Sequence, residues 1–95
     1  MAKSIMNEET ELLFEAILKL EDKKECLALF QDLCTVNEIQ AMSQRIHVAK
    51  LLREDAKYQD IVEKTGASTA TISRISRALN YGADGYELVL KRMSE

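Results

Sequence analysis

From Gly66 onward the chain reads Ala67-Ser68-Thr69-Ala70-Thr71-Ile72-Ser73-Arg74-Ile75-Ser76-Arg77-Ala78-Leu79. On a helix, Thr69, Ala70, Ser73, Arg74 and Arg77 share the face opposite Ile72 and Ile75. That face is small and polar at its start and basic further along. Small residues let a helix enter the major groove of a duplex, where hydroxyls bond base edges and a methyl group touches thymine. Ser68, Thr71 and the free amides of the first helical turn are suited to phosphate. No carboxylate lies between Glu63 and Asp84, so no negative side chain of the segment itself opposes an anionic partner. The chemistry expected is recognition of a nucleic acid.

A face of this kind needs a frame. Residues 58–64 are read as a short helix, and a second helix is expected from Ser68 to Leu79, joined across Thr65-Gly66-Ala67. Two helices meeting at a glycine corner, the second opened by a capping serine, follow the helix-turn-helix plan. The corner wants a left-handed backbone, which glycine enters at least cost. Ile61, Ala67, Ile72 and Ile75 stand where two crossed helices pack together. Gly corners also occur in ordinary bundles; here the turn, the apolar positions and the Ser/Thr/Arg face occur together.

Four further helices are expected. The first spans Glu8 to Lys19, capped by Asn7, with Glu8, Glu9 and Glu11 at its positive end. Its stripe is Leu13, Ile17 and Leu20, widened by Leu12 and Ala16. The second starts after Asp22, which with Glu25 resembles a capping box; Cys26, Leu29, Phe30 and Leu33 are expected to face a core. The third opens on Thr35 and Glu38, carries Ile39, Met42, Ile46, Ala49 and Leu52 on its stripe with Val48 and Leu51 on a second side, and ends near Arg53-Glu54-Asp55. After a break at Asn80–Ala83, Asp84 and Glu87 are read as a capping pair for a last helix, with Tyr86, Val89, Leu90 and Met93 inside.

At 95 residues the chain suits one all-α domain, and its 46% hydrophobic and 31% charged residues exclude a disordered tail. It has no proline, and its three glycines all lie in the last 30 residues. The net charge of −3 is unevenly spread. Residues 1–35 hold four basic and eight acidic side chains, net −4, whereas residues 36–80 hold seven and five, net +2. Distant charge is screened beyond about 8–10 Å, so a basic face on an acidic body can still hold phosphates. No apolar run approaches the ~18 residues of a membrane span. Met1-Ala2-Lys3-Ser4-Ile5-Met6 runs into Asn7-Glu8-Glu9 and lacks the pattern of a secretion signal, so cytoplasmic residence is expected. Cys26 and Cys34 are read as reduced core thiols. With His47 they lack metal-site spacing, so no metal is expected, and nothing calls for a cofactor. One histidine and no Ser-His-Asp, Cys-His or phosphate-loop constellation argue against an enzyme.

Leu51-Leu52-Arg53 followed by Gly66-Ala67-Ser68-Thr69-Ala70-Thr71-Ile72-Ser73-Arg74 resembles the Trp repressor family. Leu33-Cys34-Thr35 and Leu79-Asn80-Tyr81-Gly82 liken the chain to that family's smaller YerC/YecD-type branch. The likeness covers about Phe30 to Met93 well and the first two helices loosely. It implies a six-helix, intertwined homodimer with two helix-turn-helix heads, repressing transcription at a palindromic operator on double-stranded DNA. On that plan residues 1–35 and 84–93 are dimerisation helices, 36–54 is a central helix and 58–79 the helix-turn-helix. The apolar faces agree, being wider than a 95-residue monomer covers easily. Family roles place Thr69, Ala70 and Ser73 at base edges and Gln59, Thr71, Arg74 and Ser76 near the backbone. Lys57, Lys64 and Arg77 join the backbone set on charge alone.

Members of the family that sense tryptophan stack the indole between two arginines, which correspond to Arg74 and Arg45. They place a glycine after the former and a serine four residues after it; this sequence has Ile75 and Ala78. The gap for an indole is therefore expected to be filled, and no response to tryptophan is expected. The alternatives are a dimer that needs no effector, or another amino-acid-like metabolite in a reshaped pocket near Thr35, Arg45, Arg74, Ile75 and Ala78. The branch's association with control of amino-acid biosynthesis fits the latter. A second functional class stays open: a protein-interaction module using the same helix-turn-helix face, with no DNA. The pI of about 5.2 leans that way.

Overall fold

The computed structural model describes residues 5–95; Met1–Ser4, part of the segment weighed against a secretion signal, lie outside the described residues. Its helices are α1 (Glu8–Leu18), α2 (Lys23–Leu33), α3 (Val36–Arg53), α4 (Tyr58–Thr65), α5 (Thr69–Tyr81) and α6 (Gly85–Ser94). No strand occurs among the described residues, so the fold is all-α. The chain divides into two compact units, the first ending at Val36 and the second spanning Asn37–Glu95.

In the N-terminal unit the caps form as expected. Asn7 Oδ1 accepts from the Thr10 amide at 3.0 Å, and Thr10 Oγ1 accepts from the Asn7 amide at 2.7 Å. Asp22 accepts from the Glu25 amide at 2.8 Å, while the Glu25 carboxylate reaches past the cap to the Glu21 amide, also at 2.8 Å. The expected core does not form within the chain. Neither α1 nor α2 holds a buried residue. Leu13, Ile17 and Leu20 are half-buried, as are Leu29 and Phe30, whereas Cys26 and Leu33 are exposed. The cysteines are unpaired, and Cys34 is only half-buried, so neither is a core thiol.

The C-terminal unit has a dry core of Val48, Ala49, Leu51, Ile61, Ala67, Ile72, Ile75 and Leu90, with Leu52, Ala56, Val62, Leu79 and Tyr86 packed around it. The faces of α3 sort differently from expectation. Val48 and Leu51, read as a second side, are buried together with Ala49, while Ile39, Met42 and Leu52 are half-covered and Ile46 is exposed. Val48, Ala49 and Leu51 share one buried cluster with Ile61 of α4, Ile72 and Ile75 of α5 and Leu90 of α6, which decides which side is the inside. Asp55 ends α3 in a left-handed conformation (φ 63), and the Ala56 amide closes back on Leu51 O at 3.0 Å.

Two expectations near the C-terminus are corrected. Helix α5 runs on to Tyr81, and the stop is Gly82, where a Cβ would collide with the Ala78 carbonyl oxygen. Asp84 and Glu87 are not a capping pair. Asp84 has φ 66 and makes no side-chain cap bond. Glu87 instead accepts from Arg53 Nε and Nη2, both at 3.0 Å, tying α6 to α3. Of the apolar residues expected inside α6, Leu90 is buried and Tyr86 half-buried, but Val89 and Met93 are exposed.

Candidate nucleic-acid interface

The corner between α4 and α5 is built from local hydrogen bonds. Gly66 takes φ 73, and its amide bonds Val62 O at 2.9 Å. The Thr65 hydroxyl donates to Ile61 O at 2.7 Å and accepts from the Ala67 amide at 3.1 Å. Ser68 then caps α5, accepting from the Thr71 amide at 3.1 Å and donating to Thr71 Oγ1 at 3.0 Å. Ile61 and Ile72 are completely enclosed, and Ala67 and Ile75 nearly so. These four positions form the seam between the crossed helices, as their spacing predicted.

The opposite side of α5 is open. Thr69, Ala70, Ser73, Arg74 and Arg77 are exposed, as are Ser68 at the corner and Lys57, Gln59 and Lys64 on or beside α4; Thr71 and Ser76 are half-buried. Lys50 and Arg53 are engaged elsewhere, with Glu54 at 2.8 Å and Glu87 at 3.0 Å. Among the described residues, Lys57, Lys64, Arg74 and Arg77 make no ion pair. Four exposed cations on or beside α4 and α5 are thus available to an external anion.

The remaining pocket residues come together in part. A depression of about 300 Å³ is lined by Arg45, Thr71, Arg74, Ile75, Ala78 and Tyr86, while Thr35 belongs to the N-terminal unit. The depression borders Arg74 and Ile75, the residue expected to fill the space that an indole would need. Ile75 is nonetheless nearly enclosed, its side chain committed to the core. Two functional candidates went unnoticed in the sequence. Tyr86 lines this depression, and it also lines an apolar hollow of about 480 Å³ with Ile46, Ala78, Ala83, Gly85 and Val89. Gln44 donates from Nε2 to the Thr65 carbonyl at 3.1 Å. Nothing in a polar residue midway along an amphipathic helix announces such a bond.

Crossed helices over a dry seam, a left-handed glycine corner and an open Ser/Thr/Arg face define a helix-turn-helix protein. Comparison with known proteins narrows the class. Residues 8–94 match the family model described as Trp repressor protein. The uncharacterized protein YerC of Bacillus subtilis strain 168 is 53% identical over 91 residues, covering 96% of this chain and 88% of that one. A crystal structure of a candidate Trp repressor from Staphylococcus aureus superposes with TM-score 0.91 at 49% identity, covering 95% of this chain and 90% of the other. That of a TrpR-like protein from Eubacterium eligens ATCC 27750 gives 0.90 at 57%, covering 93% and 91%. The chain belongs to the Trp repressor family, a family of DNA-binding regulators, and resembles its YerC-type members. Among the described residues, no helix is long and apolar enough to cross a membrane.

Proposed function

We propose that the protein is a sequence-specific DNA-binding regulator of repressor type, acting as a homodimer on a palindromic site and carrying no catalytic activity. The observation that carries this reading is the outer face of α5, small and hydroxyl-rich at its start, basic beyond, and free of intramolecular ion pairs. In this reading Thr69, Ala70 and Ser73 meet base edges. Lys57, Gln59, Lys64, Ser68, Thr71, Arg74, Ser76 and Arg77 hold the phosphodiester backbone. Family membership and the uncovered apolar residues of α1 and α2 support pairing of two chains through residues 1–35 and 84–93. The pairing would set two reading helices about 34 Å apart, one turn of duplex.

The depression beside Arg74 offers guanidinium groups from Arg45 and Arg74 and no carboxylate, which suits a small anion of amino-acid type. Tryptophan is a poor candidate, because Ile75 and Ala78 stand where tryptophan-sensing relatives keep a glycine and a serine. Calorimetric titration should give no tryptophan binding at micromolar concentration.

Salt and substitution test the central reading. With about 6–10 phosphate contacts per dimer, affinity for duplex DNA should fall about 10³–10⁵-fold between 50 and 200 mM salt. Ser73→Ala should shift preference at one base pair by about 1–3 kcal/mol. Arg77→Ala should weaken every duplex about equally and flatten the salt slope. A response indifferent to salt would point to a protein partner instead.

A further inference from the structure

We infer that Gln44 is the positioning residue that sets the angle at which the α4–α5 corner is presented; the functional half of this inference rests on the DNA reading above. Thr65 is the last residue of α4, so its carbonyl is one of the acceptors a helix C-terminus leaves without an intrahelical partner. The chain then turns away through the left-handed Gly66, and no residue of the corner takes that carbonyl up. Gln44 does so from α3, across 21 residues of sequence, in a partly buried setting at 3.1 Å.

The other bonds of the corner run between residues 61 and 71 and shape it internally, without relating it to anything outside. Otherwise α3 and the corner share an apolar cluster, which holds Val48, Ala49 and Leu51 together with Ile61, Ala67 and Ile72. Apolar burial is non-directional and tolerates small slides and tilts. A hydrogen bond loses strength quickly as its angle opens, so the Gln44 amide selects one tilt among those the core allows. In the DNA reading, recognition of base edges depends on that tilt, because a few degrees at the corner displace Thr69, Ala70 and Ser73 relative to a groove. Phosphate contacts made by the long, flexible side chains of Lys57, Lys64, Arg74 and Arg77 depend on it far less.

The experiment compares the full chain with Gln44→Met, which keeps the length and lacks a donor, and Gln44→Lys, which keeps a donor. Residual dipolar couplings of backbone amides in the DNA-free protein report the orientation of α4 and α5 against α3. Affinity is measured for the duplex that the unmodified chain enriches most from a random library, and for a scrambled duplex of the same length. In Gln44→Met, helix content should persist while the α4 and α5 couplings cease to fit a single orientation with α3. Affinity for the enriched duplex should fall up to about tenfold, the worth of one net hydrogen bond, with the scrambled duplex and its salt slope unchanged. Gln44→Lys should restore both readouts. Unchanged couplings in Gln44→Met, or equal losses on both duplexes, would overturn the inference. If the unmodified chain enriches no duplex, the DNA reading fails, and the couplings still decide whether Gln44 positions the corner.

Discussion

The two compact units are made of similar material and end up differently. Both are amphipathic helices with apolar residues at helical spacing. In the C-terminal unit, residues from Val48 to Leu90 close into a dry core. In the N-terminal unit no described residue is buried, and Leu12, Leu18 and Leu27 stay 67%, 82% and 54% exposed. Isolated helices of 11 residues are marginal in water, so α1 and α2 need apolar cover from somewhere. One unit has internal reasons to fold; the other has reasons to associate. On the proposed function, this contrast separates a self-contained helix-turn-helix unit from helices that couple two chains.

Substitutions can break or sharpen that contrast. The largest effect should come from Ile72→Ala, which empties part of a completely enclosed core position. It should cost about 2–5 kcal/mol in urea denaturation, whatever the oligomeric state. Leu18→Ala should act through association. Two leucines lost per dimer, at about 1.5 kcal/mol each, should weaken dimerisation about a hundredfold by sedimentation. Equal, concentration-independent destabilisation by both would erase the distinction.

Gly66→Ala is a smaller perturbation within the C-terminal unit. There is open space around the added methyl, so only the left-handed backbone is strained. Thermal unfolding should report about 1–2 kcal/mol, with dimerisation untouched. Smallest should be Glu87→Gln. Arg53 holds the Glu87 carboxyl below the usual carboxylate range. A carboxyl lowered in the folded state stabilises at neutral pH, and that contribution is lost as pH falls through the ordinary range toward the lowered value. The side chains retain 32% and 49% of their exposure, so the contribution is modest. Glu87→Gln should slightly flatten the acid limb of the stability–pH curve and leave the alkaline limb unchanged.

Much of the α4–α5 corner was legible in the sequence. Ile61, Ala67, Ile72 and Ile75 mark the seam because crossed helices demand apolar residues at those offsets from Gly66, and the outer face of α5 follows by elimination. Caps at Asn7, Asp22 and Ser68 were readable because they depend on neighbours three residues away. What failed depended on tertiary partners. Periodicity alone could not say which side of α3 would be inside, since both sides are apolar. Glu87 has the spacing of a capping residue but is claimed by Arg53, 34 residues distant. Gln44 was invisible for the same reason. Cys26 and Leu33 have core periodicity, yet periodicity does not specify whether the cover is the same chain.

The most direct test of the account is selection of bound duplexes from a random-sequence library by the purified full chain. The account predicts enrichment of one palindromic sequence, with half-sites about 34 Å apart along the duplex. A pool that emerges unenriched, or a single asymmetric site occupied by one chain, would contradict it.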